Sequence, residues 1–387
     1  MSGIGVRRRA VLLGAAAAAV APGAGWLDAL AARARSGLLL SYEGLLDTPF
    51  DRAHANCAYV YDNAAVGVAL LAGGRIAAAR VVGDALVAAQ TRDRFWHDGR
   101  FRNAYAAGKV PPTGTYPLPG WWDKTAGHWV EDSYQVGTAT GVVAWAMIFL
   151  ARLGAATGDP RYHDAAGRAG DWVEHNVRAA RGYAGGFTSW EPAPARLTWV
   201  STEQNLDLAA AFTALGRADA ARHARDFVAA MWNAQEGRFF LGLAPDGGLN
   251  RGAAADANLW PPLLAGAPAD WGRALDWVLA RQGVPTANPA GIDFNDDRDG
   301  IWLEGTAFVA LLARLRGRPA LAARMMDTLR QQTAPCGLPW AASVPRLTTG
   351  LAIVAGPVAD FYYYRRPAIA PAAWAALAEA GANPFVA

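Results

Sequence analysis

Glu203 and Asp207 lie four residues apart in the run Ser201-Thr202-Glu203-Gln204-Asn205-Leu206-Asp207. On a helix that spacing puts both carboxyls on one face. Two like charges on one face repel, so the pair costs stability unless a function or a partner offsets it. Asp62 is a second signal, because it interrupts an otherwise apolar helical segment between Tyr61 and Asn63. Glu304, in Trp302-Leu303-Glu304-Gly305-Thr306, and Asp256, in Asp256-Ala257-Asn258-Leu259-Trp260, stand at the starts of two more apolar segments. Acids in a first turn are also favoured by the helix dipole, and Ser201 or Asp256 suits an N-cap, so position alone makes none of them reactive. What a set of carboxylates can do is cleave a glycosidic bond. One carboxylic acid protonates the leaving oxygen, and a carboxylate on the other side acts as base or nucleophile.

Tryptophan supports the same chemistry. The chain holds 16, and Trp122, Trp190, Trp260, Trp302 and Trp340 fall in loops or helix starts rather than along helices. Aromatic faces suit the apolar C–H faces of sugar rings, and amides and carboxylates suit their hydroxyls. The expected substrate-binding set is therefore Tyr61, Asn63, Trp122, Trp190, Asn205, Asp256, Trp260, Trp302 and Trp340. Some of these tryptophans could instead staple loops together.

Something must bring these scattered runs to one place. Helical periodicity predicts twelve main helices in six pairs: 54–72 with 75–90, 138–154 with 160–178, 202–215 with 217–233, 256–266 with 269–282, 302–316 with 318–333, and 347–358 with 370–381. Loops within a pair are mostly short, as at Gly73-Gly74, Gly216 and Gly317. Loops between pairs are long and carry recurring fragments such as Gly185-Gly186-Phe187 and Gly237-Arg238-Phe239. Short loops make antiparallel hairpins, and recurrence signals a repeat architecture. Six hairpins can close into an all-α ring with the first helix of each pair inside, which gathers the long loops and the acids at one end. An open solenoid is the alternative, but it gives no reason for aromatics to collect there.

The runs Tyr61-Asp62-Asn63-Ala64, Ser201 to Asp207 and Trp302-Leu303-Glu304-Gly305-Thr306-Ala307 resemble those of bacterial six-hairpin glycosidase-like proteins, over most of the chain after residue 40. The resemblance implies an (α/α)6 barrel with carbohydrate as substrate class. It does not fix the activity, since lyases and epimerases share that fold. On the hydrolase reading Glu203 is the acid, Asp62 the base of an inverting reaction, and Asp207 or Glu304 holds sugar or water. β-Elimination on a uronate polymer is the rival, with His54, His97, His128, Arg100 and Arg102 as its candidates. A non-catalytic sugar-binding subunit is the third reading.

The remaining features bound the setting. The 387 residues are 53% hydrophobic, enough for one large closed core, and the net charge of +3 is spread without a basic stripe, which argues against nucleic acid. Arg7-Arg8-Arg9, the apolar run from Ala10 to Ala21 and the small residues after it read as a twin-arginine-like export signal over 1–30, with the barrel over 31–387. A retained membrane anchor is the alternative there. No later segment is expected to span a membrane, and the mature protein is expected to be a periplasmic or secreted monomer. Cys57 and Cys336 precede neighbouring pairs of the ring, so export would allow a disulfide between them. No cofactor is expected, with one reservation. Asp293 to Gly300 offers oxygen ligands at alternate positions as calcium prefers, with Glu304 twelfth from Asp293, although Arg298 stands where a calcium hand has glycine.

Overall fold

The computed structural model describes residues 25–284, 290–352 and 360–386. Thirteen helices occur among them in chain order: α1 Trp26–Arg33, α2 Pro49–His54, α3 Val60–Ala72, α4 Ile76–Thr91, α5 Thr140–Thr157, α6 Pro160–Asn176, α7 Thr202–Ala214, α8 Ala218–Ala230, α9 Ala255–Leu259, α10 Arg273–Arg281, α11 Leu303–Leu315, α12 Pro319–Gln331 and α13 Ile369–Ala380. α3, α5, α7, α9, α11 and α13 each pack on the next, and α13 packs back on α3. The ring is closed, as an (α/α)6 barrel requires.

Inner and outer helices differ in composition, and that difference sorts them. α5 and α13 are apolar almost all round and are buried almost all round. A helix of that kind is stable only inside a protein. α6 instead buries one stripe, Tyr162, Ala165, Ala166, Ala169, Trp172 and Val173, at helical spacing, and turns its charged face outward. α5 meets the length and apolarity of a membrane span, contrary to the sequence expectation, but 72% of it is buried inside the barrel.

Four of the six pairs fall where periodicity predicts. The fourth is broken: α9 ends after five residues, and a turn of 3₁₀ helix, Pro261–Leu263, follows. Pro261 and Pro262 supply no backbone N–H to continue the α-helical ladder. The sixth pair is a correction. Of the helix expected over 347–358, residues 347–352 are strand instead, Arg346–Ala352 pairing antiparallel with Asp360–Tyr364 as the two arms of a β-hairpin, and 353–358 lie outside the described residues. The inner helix of that pair is α13, and α1 packs outside it from the other end of the chain. Trp26, Ala29 and Leu30 are buried there, so the barrel begins inside the stretch assigned to the export signal. The leader's arginines and apolar run lie outside the described residues.

Short strands, which sequence periodicity did not indicate, stitch the long loops together. Two of them cross the entries to inner helices, Gly186 pairing with Ala139 and Gly242 with Ser201. Both glycines have left-handed φ, 108° and 141°. A Cβ would lie 2.1 Å from Thr138 O at the first and 1.9 Å from Val200 O at the second. The glycines recurring in these loops therefore fix how closely each loop covers the next helix.

The barrel axis is plugged. Trp145, Trp260, Phe308, Trp374 and Phe385 stack with ring centroids 4.4–6.2 Å apart. Phe385 comes from the C-terminal tail, which Asn383 ties to Leu263 O and Arg152 ties by its Pro384 carbonyl. The long-loop end is left as a blind cavity. Cys57 and Cys336 are both free: Cys57 is fully buried in the strand Cys57–Tyr59, and Cys336 lies in a turn beside Arg33.

Candidate active site

The first turns of the inner helices open into a cavity of about 310 Å³. Asp62 from α3, Glu203 from α7, Asp256 from α9 and Glu304 from α11 all line it. Three of the four are the second residue of their helix and Asp62 is the third, so equivalent ring positions converge on the axis. Tyr61, Trp145, Trp260, Trp302 and Phe308 form the lower walls, and Phe361 and Tyr363 of the β-hairpin form part of the upper wall.

Hydrogen bonds hold two of the acids. The Tyr61 hydroxyl donates to Glu304 Oε1 and accepts from Trp374 Nε1 at 2.9 Å. Asp256 Oδ1 accepts from Ala257 N at 2.6 Å. Glu203 Oε2 has the Ser201 hydroxyl at 3.5 Å, a long contact that leaves it free for a ligand.

Charge is not compensated in the cavity. Among the described residues no Lys, Arg or His lines it. Burial pushes Asp62 up to about 7 and Asp256 up to about 6. Glu203 rises to about 8 through burial and the neighbouring Asp256 charge. Glu304 also rises to about 8, through burial above all, with Asp62, Asp256 and Glu203 adding and the Tyr61 hydrogen bond opposing. At neutral pH the site therefore contains carboxyls able to give a proton and carboxylates able to take one.

Asp207 is placed differently from the sequence expectation. It is fully buried and does not line the cavity. Four residues along the helix carry it about 6 Å toward the floor from Glu203. The Trp145 indole N–H is the polar group beside the Asp207 carboxyl, and no well-formed hydrogen bond joins them. Burial, then the charges of Glu203 and Asp256, push its titration well above the ordinary carboxylate range. The charged neighbour of Glu203 is Asp256.

Asn63 and Asn205 are also corrected. Both are fully buried and spent on the backbone. Each is the fourth residue of its helix, as is Asn258. Each amide donates to the carbonyl four residues back, Tyr59, Ser201 or Ala254, and accepts from the preceding loop, Leu39, Tyr183 or Phe239. Thr306, fourth in α11, does the same with its hydroxyl between Trp302 O and Ile292 N. These residues aim the helix starts and do not line the cavity.

The tryptophans divide. Trp260 and Trp302 line the cavity but are almost wholly packed, each 2% exposed. Trp122 and Trp190 are outward-facing, 61% and 46% exposed, and do not line it. Trp340 lies under the Arg365 guanidinium, also away from it. Tyrosines outside the expected set also line the cavity, Tyr42, Tyr59, Tyr134 and Tyr363, the last from a run that the sequence left open between lining the cleft and packing on the first pair. Strand alternation within Tyr362-Tyr363-Tyr364 was the available signal for the last. The elimination candidates are elsewhere. Arg102 is buried against Asp93 and Glu191, Arg100 is paired with Asp98, and His54, His97 and His128 do not line the cavity.

No protein-family model and no curated protein matches the chain. Solved structures do. A cellobiose 2-epimerase from Spirochaeta thermophila is 15% identical, with 93% of this chain and 94% of that one covered and a TM-score of 0.61. A GH63 mannosylglycerate hydrolase from Thermus thermophilus, solved with glucose, is 14% identical, with 91% and 98% covered and a TM-score of 0.58. A structure described as a wild-type glycosidase is 13% identical, with 93% and 97% covered and a TM-score of 0.59. The closed ring of inner helices, with its acids gathered at the long-loop end, thus has the fold of the six-hairpin glycosidase-like (α/α)6 barrels.

Proposed function

We propose that the cavity is the active site of a glycoside hydrolase acting on a neutral oligo- or polysaccharide. The observation that carries this is the convergence of four carboxyls in a blind aromatic cavity with no lining cation among the described residues. Glu203, held protonated near neutrality, is the general acid to the leaving oxygen. Asp62 stands two inner helices away, across α5, and is the base that takes a proton from the attacking water. Asp256 keeps the proton on Glu203, and Tyr61 holds Glu304 against the sugar. Attack by water opposite the leaving group inverts the anomeric carbon. The plugged floor admits a chain end rather than a chain threading through. The arginine-led N-terminus would deliver this enzyme, already folded, beyond the cytoplasmic membrane.

Elimination on a uronate is disfavoured because, among the described residues, nothing cationic lines the cavity to neutralise a substrate carboxylate. Epimerisation needs a base beside a carbonyl carbon; among the described residues no histidine lines the cavity, so a carboxylate would have to serve. The test is a polysaccharide and oligosaccharide panel read for new reducing ends, for ultraviolet absorbance and for isomerised sugar. New reducing ends are expected, with the inverted anomer formed first by NMR. Glu203→Gln should lower kcat on the substrate found by roughly 10²–10⁴-fold. Ultraviolet-absorbing product would move the reading to a lyase, and isomerised sugar to an epimerase. Binding of a sugar without turnover would leave a carbohydrate-binding protein. Full activity in the glutamine variant would sink the role given to Glu203.

A further inference from the structure

The loop before α11 carries carboxylates that the proposed hydrolysis does not use. Asp293, Asp297 and Asp299 each bring an oxygen within 4.8 Å of the others. None of the three takes part in an ion pair among the described residues. Asp293 is fully buried, and although its Oδ1 accepts from Phe294 N, its Oδ2 has no partner. A buried carboxylate oxygen left bare beside two further carboxylates is costly unless a cation or a proton completes it.

We propose that Asp293, Asp297 and Asp299 bind a calcium ion. Oxygens on opposite sides of a calcium ion stand about 4.6–5.2 Å apart, which the span of this cluster meets. The Thr348 hydroxyl is a further oxygen at the same place, while the buried Asn295 amide braces the loop, its Oδ1 accepting from Asp297 N at 3.0 Å. Asn295 Nδ2 donates to Asp297 Oδ2 at 3.1 Å, and Thr348 Oγ1 donates to Asp299 Oδ2 at 3.0 Å and also meets Asp297 Oδ2. Ligands at alternate positions from a tight loop suit a hard cation that takes oxygen alone. Arg298 does not obstruct the loop. It takes the left-handed φ of 62° that a glycine would supply, and its guanidinium turns away to Arg281 O and Ala280 O. Glu304 is not the twelfth ligand of a calcium hand, because it faces the cavity and is held by Tyr61.

The ion would act on the cavity wall. Thr348 belongs to the β-hairpin, and its N–H also donates to Asp299 Oδ2 at 3.0 Å. Leu351, Phe361 and Tyr363 of that hairpin, and Phe294 of the loop, line the cavity. Calcium would therefore fasten one wall of the site without touching the sugar.

Chelator-stripped full-length protein titrated with calcium chloride by calorimetry tests this, with magnesium chloride as comparison. One calcium per chain is expected, with magnesium at least tenfold weaker. Excess calcium should raise Tm by roughly 3–5 °C. Asp297→Asn with Asp299→Asn should abolish both effects. If that double variant misfolds, Asp299→Asn alone, at an exposed carboxyl, must still weaken binding at least tenfold. No heat and no change in Tm at millimolar calcium would overturn the proposal in favour of a proton shared between Asp293 and Asp297. Undiminished binding by a folded variant would overturn it too. Neither readout uses a sugar, so the outcome is independent of the proposed hydrolysis.

Discussion

At the scale of single residues, the site is a set of acids held out of water without a counter-charge. That has a consequence for stability whose sign follows from the titrations. Asp62, Glu203 and Glu304 hold their protons to about 7, 8 and 8 in the folded chain, above the ordinary values of 3.8 and 4.5. The folded protein therefore binds more protons than the unfolded chain between those limits, so stability falls as pH rises. Their favourable contribution is complete below about 4 and is lost progressively as pH climbs from there through about 7 to 8. His54, whose buried ring is held below its ordinary 6.5, is neutral in both states above that value. Calcium-free, ligand-free protein should accordingly show a falling Tm from pH 6.5 to 8.5 in a calorimetric series. Glu203→Gln should flatten that slope. A Tm that is level or rising across the same interval would mean the acids are compensated by charge the cavity does not show.

At the scale of elements, the (α/α)6 class was legible because inner and outer helices carry different patterns. The acids were legible because they interrupt apolar helix starts. The asparagines beside them were misread for a geometric reason. Adjacent residues on a helix point about 100° apart, so Asp62 faces the axis while Asn63 faces the preceding loop. A polar run in the sequence does not say which member looks inward. The stretch 347–358 was misread as a helix because a short apolar run fits a strand or a helix equally well, and its role as cavity wall depends on distant partners. Asp207 was misplaced because sharing a face with Glu203 also means lying a full turn deeper. The loop glycines, by contrast, carry a readable constraint. Gly186→Ala adds a Cβ at φ 108° against Thr138 O, where neither loop nor helix entry has room. It should cost about 2–4 kcal/mol in denaturant unfolding. A cost under about 0.5 kcal/mol would show that this loop does not cover α5 as closely as described.

At the scale of the whole molecule, the ring is closed by the two ends of the chain. α13 is the last inner helix and α1 its outer partner, so the sixth hairpin has no covalent loop of its own. Polar ties assist it: Trp26 Nε1 donates to Thr333 Oγ1 at 3.2 Å, Arg33 Nη2 donates to Cys336 O at 3.0 Å, and Arg366 pairs with Asp51 at 2.7 Å. No local periodicity could reveal this, because each partner lies more than 300 residues from the other. The closure should matter to the entire barrel, since the aromatic plug on the axis needs α5, α9, α11 and α13 in place together. Leu30 is fully buried on α1, and Leu30→Ala removes its side chain from that seam. The expected cost is about 3 kcal/mol. If the ring folds as one unit, circular dichroism and tryptophan fluorescence should lose signal at the same lowered midpoint in denaturant, and activity should fall with them. If instead α1 is a separately fraying appendage, the variant will leave the main transition unmoved and shed only a small helical signal early. The first result makes the residues around Trp26 part of the catalytic barrel's foundation, and it requires any cleavage of a leader to fall before them.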